Sequence, residues 1–170
     1  MKKLKNKFIL SVLILLFFEN VYASDRLAPD FELPYLKGKK SLKLSEVLFQ
    51  KDFTILVFFN SKCDECMDTF ARLKELPLLM QNSNISAQII GINNDTENTN
   101  KIKSFIKGEQ IDFPILMDKL GTATNAYSCS DYSFSSFIID KKGIIKDIHF
   151  DKDPKIIDYL LEKLIEALPK

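Results

Sequence analysis

Between Phe53 and Phe59 the chain reads Phe-Thr-Ile-Leu-Val-Phe-Phe, an unbroken β-branched and aromatic run. Such a run suits a central strand buried on both faces. Asn60-Ser61-Lys62 ends it, and from Asp64 to about Leu76 the apolar residues Met67, Phe70, Leu73 and Leu76 recur at three-residue steps. That is the stripe of an amphipathic helix, which Pro77 is expected to kink or end. After the polar Asn82-Ser83-Asn84, Ala87 to Ile92 predicts a second strand, and Thr96 to Lys107 a second helix, with Asp95 as its N-cap. Strand, helix, strand, helix implies parallel pairing through a crossover.

The flanking segments are weaker. Phe31 to Leu36 and Ser41 to Leu44 alternate enough to predict short, peripheral edge strands around a turn at Gly38. Phe113 to Met117 and Phe137 to Ile139 predict two further strands with a small helix, Leu120 to Tyr127, between them. Lys141-Lys142-Gly143 reads as a hairpin turn into a last strand, Ile144 to Phe150. Pro154 to Leu168 sets Ile156, Ile157, Leu160, Leu161, Leu164 and Ile165 on one helical face, with Asp153 as a cap. There is no repeat, linker or low-complexity segment.

The first 23 residues stand apart. Lys2, Lys3, Lys5 and Lys7 precede an apolar run of 11 residues, Phe8 to Phe18, broken only by Ser11, and Val21-Tyr22-Ala23 offers small residues for cleavage before Ser24. This is the pattern of a secretory signal, and the run is well short of the roughly 20 residues a membrane span needs. A buried N-terminal helix is the plain alternative, and a retained segment would tether the protein to a membrane. The expected organisation is therefore residues 1–23 as a signal peptide and 24–170 as one domain, placed in the periplasm or another extracytoplasmic space. With 170 residues, 46% hydrophobic, the chain can bury one good core. Without the leader, 20 basic residues face 22 acidic ones. That balance lacks the basic footprint of nucleic-acid binding.

Cys63-Asp64-Glu65-Cys66 falls at the junction between the buried strand and the helix that follows. A thiol at a helix N-terminus has its anion stabilised by the free amides and the macrodipole, so Cys63 is the candidate nucleophile. Cys66, one turn in, is placed to resolve a mixed disulfide, and the pair can cycle between dithiol and disulfide. Two plain readings compete. A structural disulfide this short constrains the unfolded chain little. A zinc half-site needs more ligands than the remaining Cys129 and His149 supply. No cofactor or metal is expected. Asp64 and Glu65 beside the thiol oppose thiolate formation while Lys62 partly offsets them, which leans the pair toward a reductant.

Three segments carry a family resemblance: Ala28-Pro29-Asp30-Phe31-Glu32-Leu33, Leu56 to Cys66, and Ser135-Ser136-Phe137-Ile138-Ile139-Asp140-Lys141-Lys142-Gly143. Together they make the chain resemble the TlpA-like branch of the thioredoxin superfamily, related to the alkyl hydroperoxide reductase and redoxin domains, over nearly all of residues 27–168. The resemblance implies a thioredoxin-like α/β fold with a central mixed sheet flanked by helices. It also implies dithiol–disulfide exchange with exported protein thiols or disulfides, supplied by a membrane or periplasmic electron donor. The family's substrate-docking loop corresponds to Ser133, Phe134 and Ser135, and Phe134 stands where the family usually has a cis-proline. Thr69 and Ala71 stand at positions where it often has glutamate and proline. No tryptophan precedes the motif.

Cys129, five residues before Phe134, is either a small buried hydrophobe or a third redox thiol. His149 alternates with apolar residues on a strand and reads as structural rather than catalytic. Three rival functions remain. A thiol peroxidase shares the Ala-Pro-Asp-Phe start, but Asn60 and Leu56 occupy the places of the peroxidase threonine and proline. A copper chaperone of this fold uses a Cys-x-x-x-Cys pair and a distant histidine. A binding module would keep the fold without turnover.

Overall fold

The computed structural model describes residues 26–95 and 99–169, so the leader reading lies outside the described residues. A five-stranded sheet in the order β5-β4-β3-β6-β7 forms the body, where β3 is Phe53–Phe59, β4 Ala87–Asn93, β5 Ile115–Met117, β6 Phe134–Asp140 and β7 Ile145–Phe150. β4 runs parallel to β3 and β5 parallel to β4, whereas β6 is antiparallel to β3 and β7 to β6. This is the mixed sheet expected.

Every residue of β3 is buried, as its continuous apolar run requires. Alternation along the strand separates two cores. Phe53, Ile55, Val57 and Phe59 pack with residues of α2 (Asp64–Arg72), α3 (Leu76–Asn82), α4 (Thr99–Gly108) and α6 (Ile156–Glu166). Leu56 and Phe58 face the other side and pack with the hairpin β1 (Glu32–Pro34) and β2 (Ser41–Lys43), the short α1 (Leu44–Val47), and residues in and after α5 (Thr122–Ala126).

The differences from the sequence expectations have local causes. β1 and β2 pair with each other rather than extending the main sheet, joined to it by a single bridge from Tyr35 to Leu116. They are not peripheral, because Leu33 and Leu42 are buried in the second core. The helix after the cysteines ends at Arg72, four residues earlier than the stripe suggested, and a 3-10 turn Leu73–Glu75 follows. Pro77 then sits in the first turn of α3. There its missing N–H costs nothing, whereas a continuous helix would drive its ring into the Leu73 carbonyl. β5 starts only after Pro114, which has no N–H to donate. α5 is held at its start by Asp118, which accepts from Thr124 N and Oγ1, both at 2.7 Å. Asp153 accepts from Lys155 N at 2.7 Å in the turn preceding α6, two residues before the N-cap Lys155 rather than at the cap expected of it. Gly143, at φ +83°, makes the hairpin turn before β7. β6 is longer than Phe137 to Ile139 because Ser135 and Ser136 continue the ladder opposite Phe58 and Val57.

Candidate active site

Cys63 is the residue before the first turn of α2, in extended conformation at φ −98° and ψ 103°. It takes the place of a capping serine, and its Sγ accepts the backbone N–H of Cys66 at 3.2 Å. The two cysteines are joined as a disulfide. They differ in access: Cys66 is 1% exposed and Cys63 only half-buried. The first sulfur can be reached by a partner and the second cannot. The same N–H that caps the helix favours negative charge on Cys63 once the bond is opened.

The turn carrying Cys63 is held from several sides. Cys63 N donates to Asn60 O at 3.2 Å, Lys62 N to Asn60 Oδ1 at 2.9 Å, and Asn60 N to Ser133 O at 2.9 Å. The last bond ties the motif to the loop before β6. Of the residues expected to form a docking loop, Ser133 is exposed, but Phe134 and Ser135 are wholly buried. Phe134 is paired with Phe59 and belongs to the same core cluster as Cys66. The described residues contain no cis peptide bond, so the Ser133–Phe134 bond is trans. Phe134 therefore fills the core rather than lining a surface. Its neighbour Asp151 donates its N–H to the Phe134 carbonyl at 2.9 Å.

The charges around the motif are distributed differently from the sequence reading. Lys62 was expected to offset Asp64 and Glu65. In the fold, Lys101 approaches Asp64 at 3.3 Å and Lys152 pairs with Glu65, while Lys62 lies 3.9 Å from Asp95. Lys101 also donates to the Ser61 carbonyl at 3.1 Å. These lysines come from segments 37 and 87 residues away in the chain, so local spacing gave no sign of them. The reading of Asp95 as the N-cap of a helix from Thr96 turns on residues 96–98, which lie outside the described residues. Asp95 itself is 4% exposed, and Ser61 Oγ donates to its Oδ2 at 2.5 Å. The parallel register, Phe59 opposite Asn93, brings the ends of both strands to the same place and is the signal from which this could have been read.

A groove of about 340 Å³ runs beside α2, lined by Glu65, Asp68, Thr69, Arg72, Lys152 and Pro154. Thr69, at the family's glutamate position, and the exposed Asp68 share this groove. Cys129 is elsewhere. Its Sγ donates to Thr124 O at 3.4 Å within the second core, on the sheet face opposite Cys66. Burial pushes its thiol up to about 11, with the nearby Ser135 hydroxyl opposing and Asp118 adding to the rise. The third-thiol reading thus gives way to the buried-hydrophobe one. His149 pairs across from Ser136 with its ring 4.6 Å from that of Tyr159 in α6, and its Nε2 is buried without a hydrogen-bond partner among the described residues.

Residues 25–148 match the AhpC/TSA family. The chain belongs to that family. Among similar proteins, the thioredoxin-like protein YneN of Bacillus subtilis is 28% identical over 122 residues, spanning 72% of this chain and 68% of that one. The thiol-disulfide oxidoreductase ResA of Bacillus thuringiensis is 28% identical over 138 residues, 81% of this chain and 76% of its own. A crystal structure assigned as the thiol:disulfide interchange protein DsbE from Chlorobium tepidum superimposes with a TM-score of 0.72 at 24% identity, covering 85% of this chain and 97% of that one. The fold is thioredoxin-like.

Proposed function

We propose that this family member is an exported thiol–disulfide oxidoreductase that reduces disulfides of exported proteins through Cys63 and Cys66. The observation that carries the chemistry is the asymmetry of the pair: a reachable sulfur at the start of a helix, accepting an amide N–H from the buried cysteine one turn on. Relatives named as thiol–disulfide oxidoreductases support the same activity.

In the reducing direction the Cys63 thiolate attacks one sulfur of a client disulfide. The client S–S bond breaks, the leaving client thiolate takes a proton, and a mixed disulfide remains. The Cys66 thiol, losing its proton, then attacks Cys63 Sγ, forms the Cys63–Cys66 bond and releases the second client thiol. Two electrons pass from the thiol pair to the client, with one proton from Cys66 and one from solvent, which replaces the proton Cys63 lost on ionising. A donor dithiol in the periplasm or membrane returns them.

Export is supported by the basic and apolar leader, Lys2 to Phe18, with small residues before Ser24. The reducing direction is supported by the buried carboxylate of Asp95 beneath the turn that leads to Cys63, since the exposed Asp64 and Glu65 are each offset by a lysine. Insulin reduction by the purified protein with a dithiol donor tests the activity, and equilibration in glutathione buffers tests the direction. A peroxidase would instead consume hydrogen peroxide at a rate exceeding its insulin reduction. That result is not expected, because the residue three before Cys63 is Asn60, whose side-chain oxygen accepts from Lys62 N. For export, the tagged protein recovered outside the cytoplasm should have lost residues 1–23 by mass.

A further inference from the structure

We infer that Asp95 is a positioning residue of the thiol pair: a buried carboxylate that anchors the turn before Cys63 and, through its charge, restrains ionisation of the reduced Cys63 thiol. The inference rests on the exchange reading above and deepens it.

The placement follows from the sheet. β3 and β4 are parallel neighbours that end level, Phe59 opposite Asn93, so the Asn60–Cys63 turn and the Asn94–Asp95 segment leave the sheet side by side. Asn93 secures this exit twice: its Nδ2 donates to Phe59 O at 3.2 Å and its Oδ1 accepts from Asp95 N at 2.9 Å. Asp95 then reaches under the turn. Its Oδ2 accepts from Ser61 Oγ at 2.5 Å, and Ser61 is itself wholly buried two residues before the nucleophile.

The magnitudes separate Asp95 from the other charges near Cys63. On the motif or paired with it are Lys62 on the turn, Asp64 and Glu65 on α2, Lys101 on α4, and Lys152 after β7. Asp64 and Glu65 are exposed and each meets a lysine, so their fields are largely cancelled and screened by water and salt. The Asp95 side chain is 1% exposed, while that of Lys62, 3.9 Å away, is 53% exposed. A charge held out of water acts over a longer distance than one in it. Asp95 is therefore the charge near the turn that solvent damps least. It opposes the helix N-terminus, which favours the Cys63 thiolate. It also draws the Lys62 ammonium toward itself, limiting what that cation can do for the sulfur. Both effects make the dithiol less acidic and its oxidation more favourable, as suits an electron donor.

The test reads the reduced full-length protein alone, with iodoacetamide alkylation of Cys63 followed by mass across a range of pH. Asp95→Asn should alkylate at least threefold faster at neutral pH, with the midpoint of the pH profile moved down. Lys62→Met, which removes the exposed cation 3.9 Å from the carboxylate, should alkylate at least threefold more slowly. Ser61→Ala, which removes the hydrogen bond and keeps the charge, should move the rate less than twofold. A merely structural role would make Ser61→Ala and Asp95→Asn alike, and that result overturns the inference, as does Asp95→Asn with the parent rate and profile. If Asp95→Asn does not fold, Lys62→Met decides, and an unchanged rate there also overturns it. Lost insulin reduction with these rate shifts intact would remove the exchange reading and leave the inference standing. Intact insulin reduction without them would do the reverse.

Discussion

The N–H of Cys66 points at the sulfur of Cys63, 3.2 Å away, from a residue that is itself 1% exposed. One cysteine thus meets the partner and the other can only meet its neighbour. Replacing Cys66 by serine should leave attack intact and block resolution, so a mixed disulfide through Cys63 accumulates with client protein and is visible by mass and non-reducing electrophoresis. Replacing Cys63 by serine should abolish insulin reduction. Retention of full activity by the Cys63→Ser protein would sink the mechanism.

The helix carrying the pair is fixed by a close approach. Gly91 lies in β4 beneath α2, and a Cβ there would stand 2.7 Å from Phe70 Cζ and 2.8 Å from Ile115 Cδ1. Phe70 is stacked on Phe59 with ring centres 3.9 Å apart, so it cannot retreat toward the sheet. Gly91→Ala should cost about 1–3 kcal/mol by urea unfolding, the range for overpacking a tight core. Adding Phe70→Leu should recover part of that loss, because the two sites share one space. Strict additivity would show that the clash is relieved elsewhere.

Much of this was legible in the chain because single residue types forced it. The run of β3, six apolar residues and Thr54, allows only a doubly buried strand, and the cysteine pair at its end names its own chemistry. What could not be read depended on the third dimension. Lys101 and Lys152 reach Asp64 and Glu65 only through packing of distant segments. The contact of Asp95 with Ser61 was not legible because it depends on the parallel register of β3 and β4. Phe134 was assigned to a docking loop through its place in the family pattern, yet its aromatic side chain decided otherwise. A large apolar ring beside a buried strand enters the core.

That reversal carries its own prediction. Phe134 is wholly buried, pairs with Phe59, and sits in the cluster containing Phe70, Ile138 and Cys66. Truncation to alanine should therefore lower stability by about 3–5 kcal/mol, the usual cost of emptying a phenylalanine site. Insulin reduction per folded molecule should change far less than stability. A surface docking residue would give the opposite: nearly unchanged urea unfolding and a raised KM.

Cys129 gives a pH dependence with a definite sign. Its thiol titrates near 9.0 when unperturbed and is pushed up to about 11 in the folded protein, chiefly by burial. Between those values the unfolded chain loses the proton while the folded one keeps it, so ionisation draws the equilibrium toward unfolding. The contribution to stability is complete below pH 9 and is lost as pH climbs from 9 to 11. At about pH 10.5 the loss is on the order of 2 kcal/mol. Tyr127, buried in the same core and also raised chiefly by burial, adds to the decline above pH 10. Urea unfolding of the parent and of Cys129→Ala at pH 8 and pH 10.5 isolates the thiol, since Tyr127 titrates in both. The parent should lose about 2 kcal/mol more than the variant over that interval, and the Cys129 thiol should resist alkylation at pH 8 until the protein unfolds. Parallel losses in the two proteins would mean that water reaches the thiol.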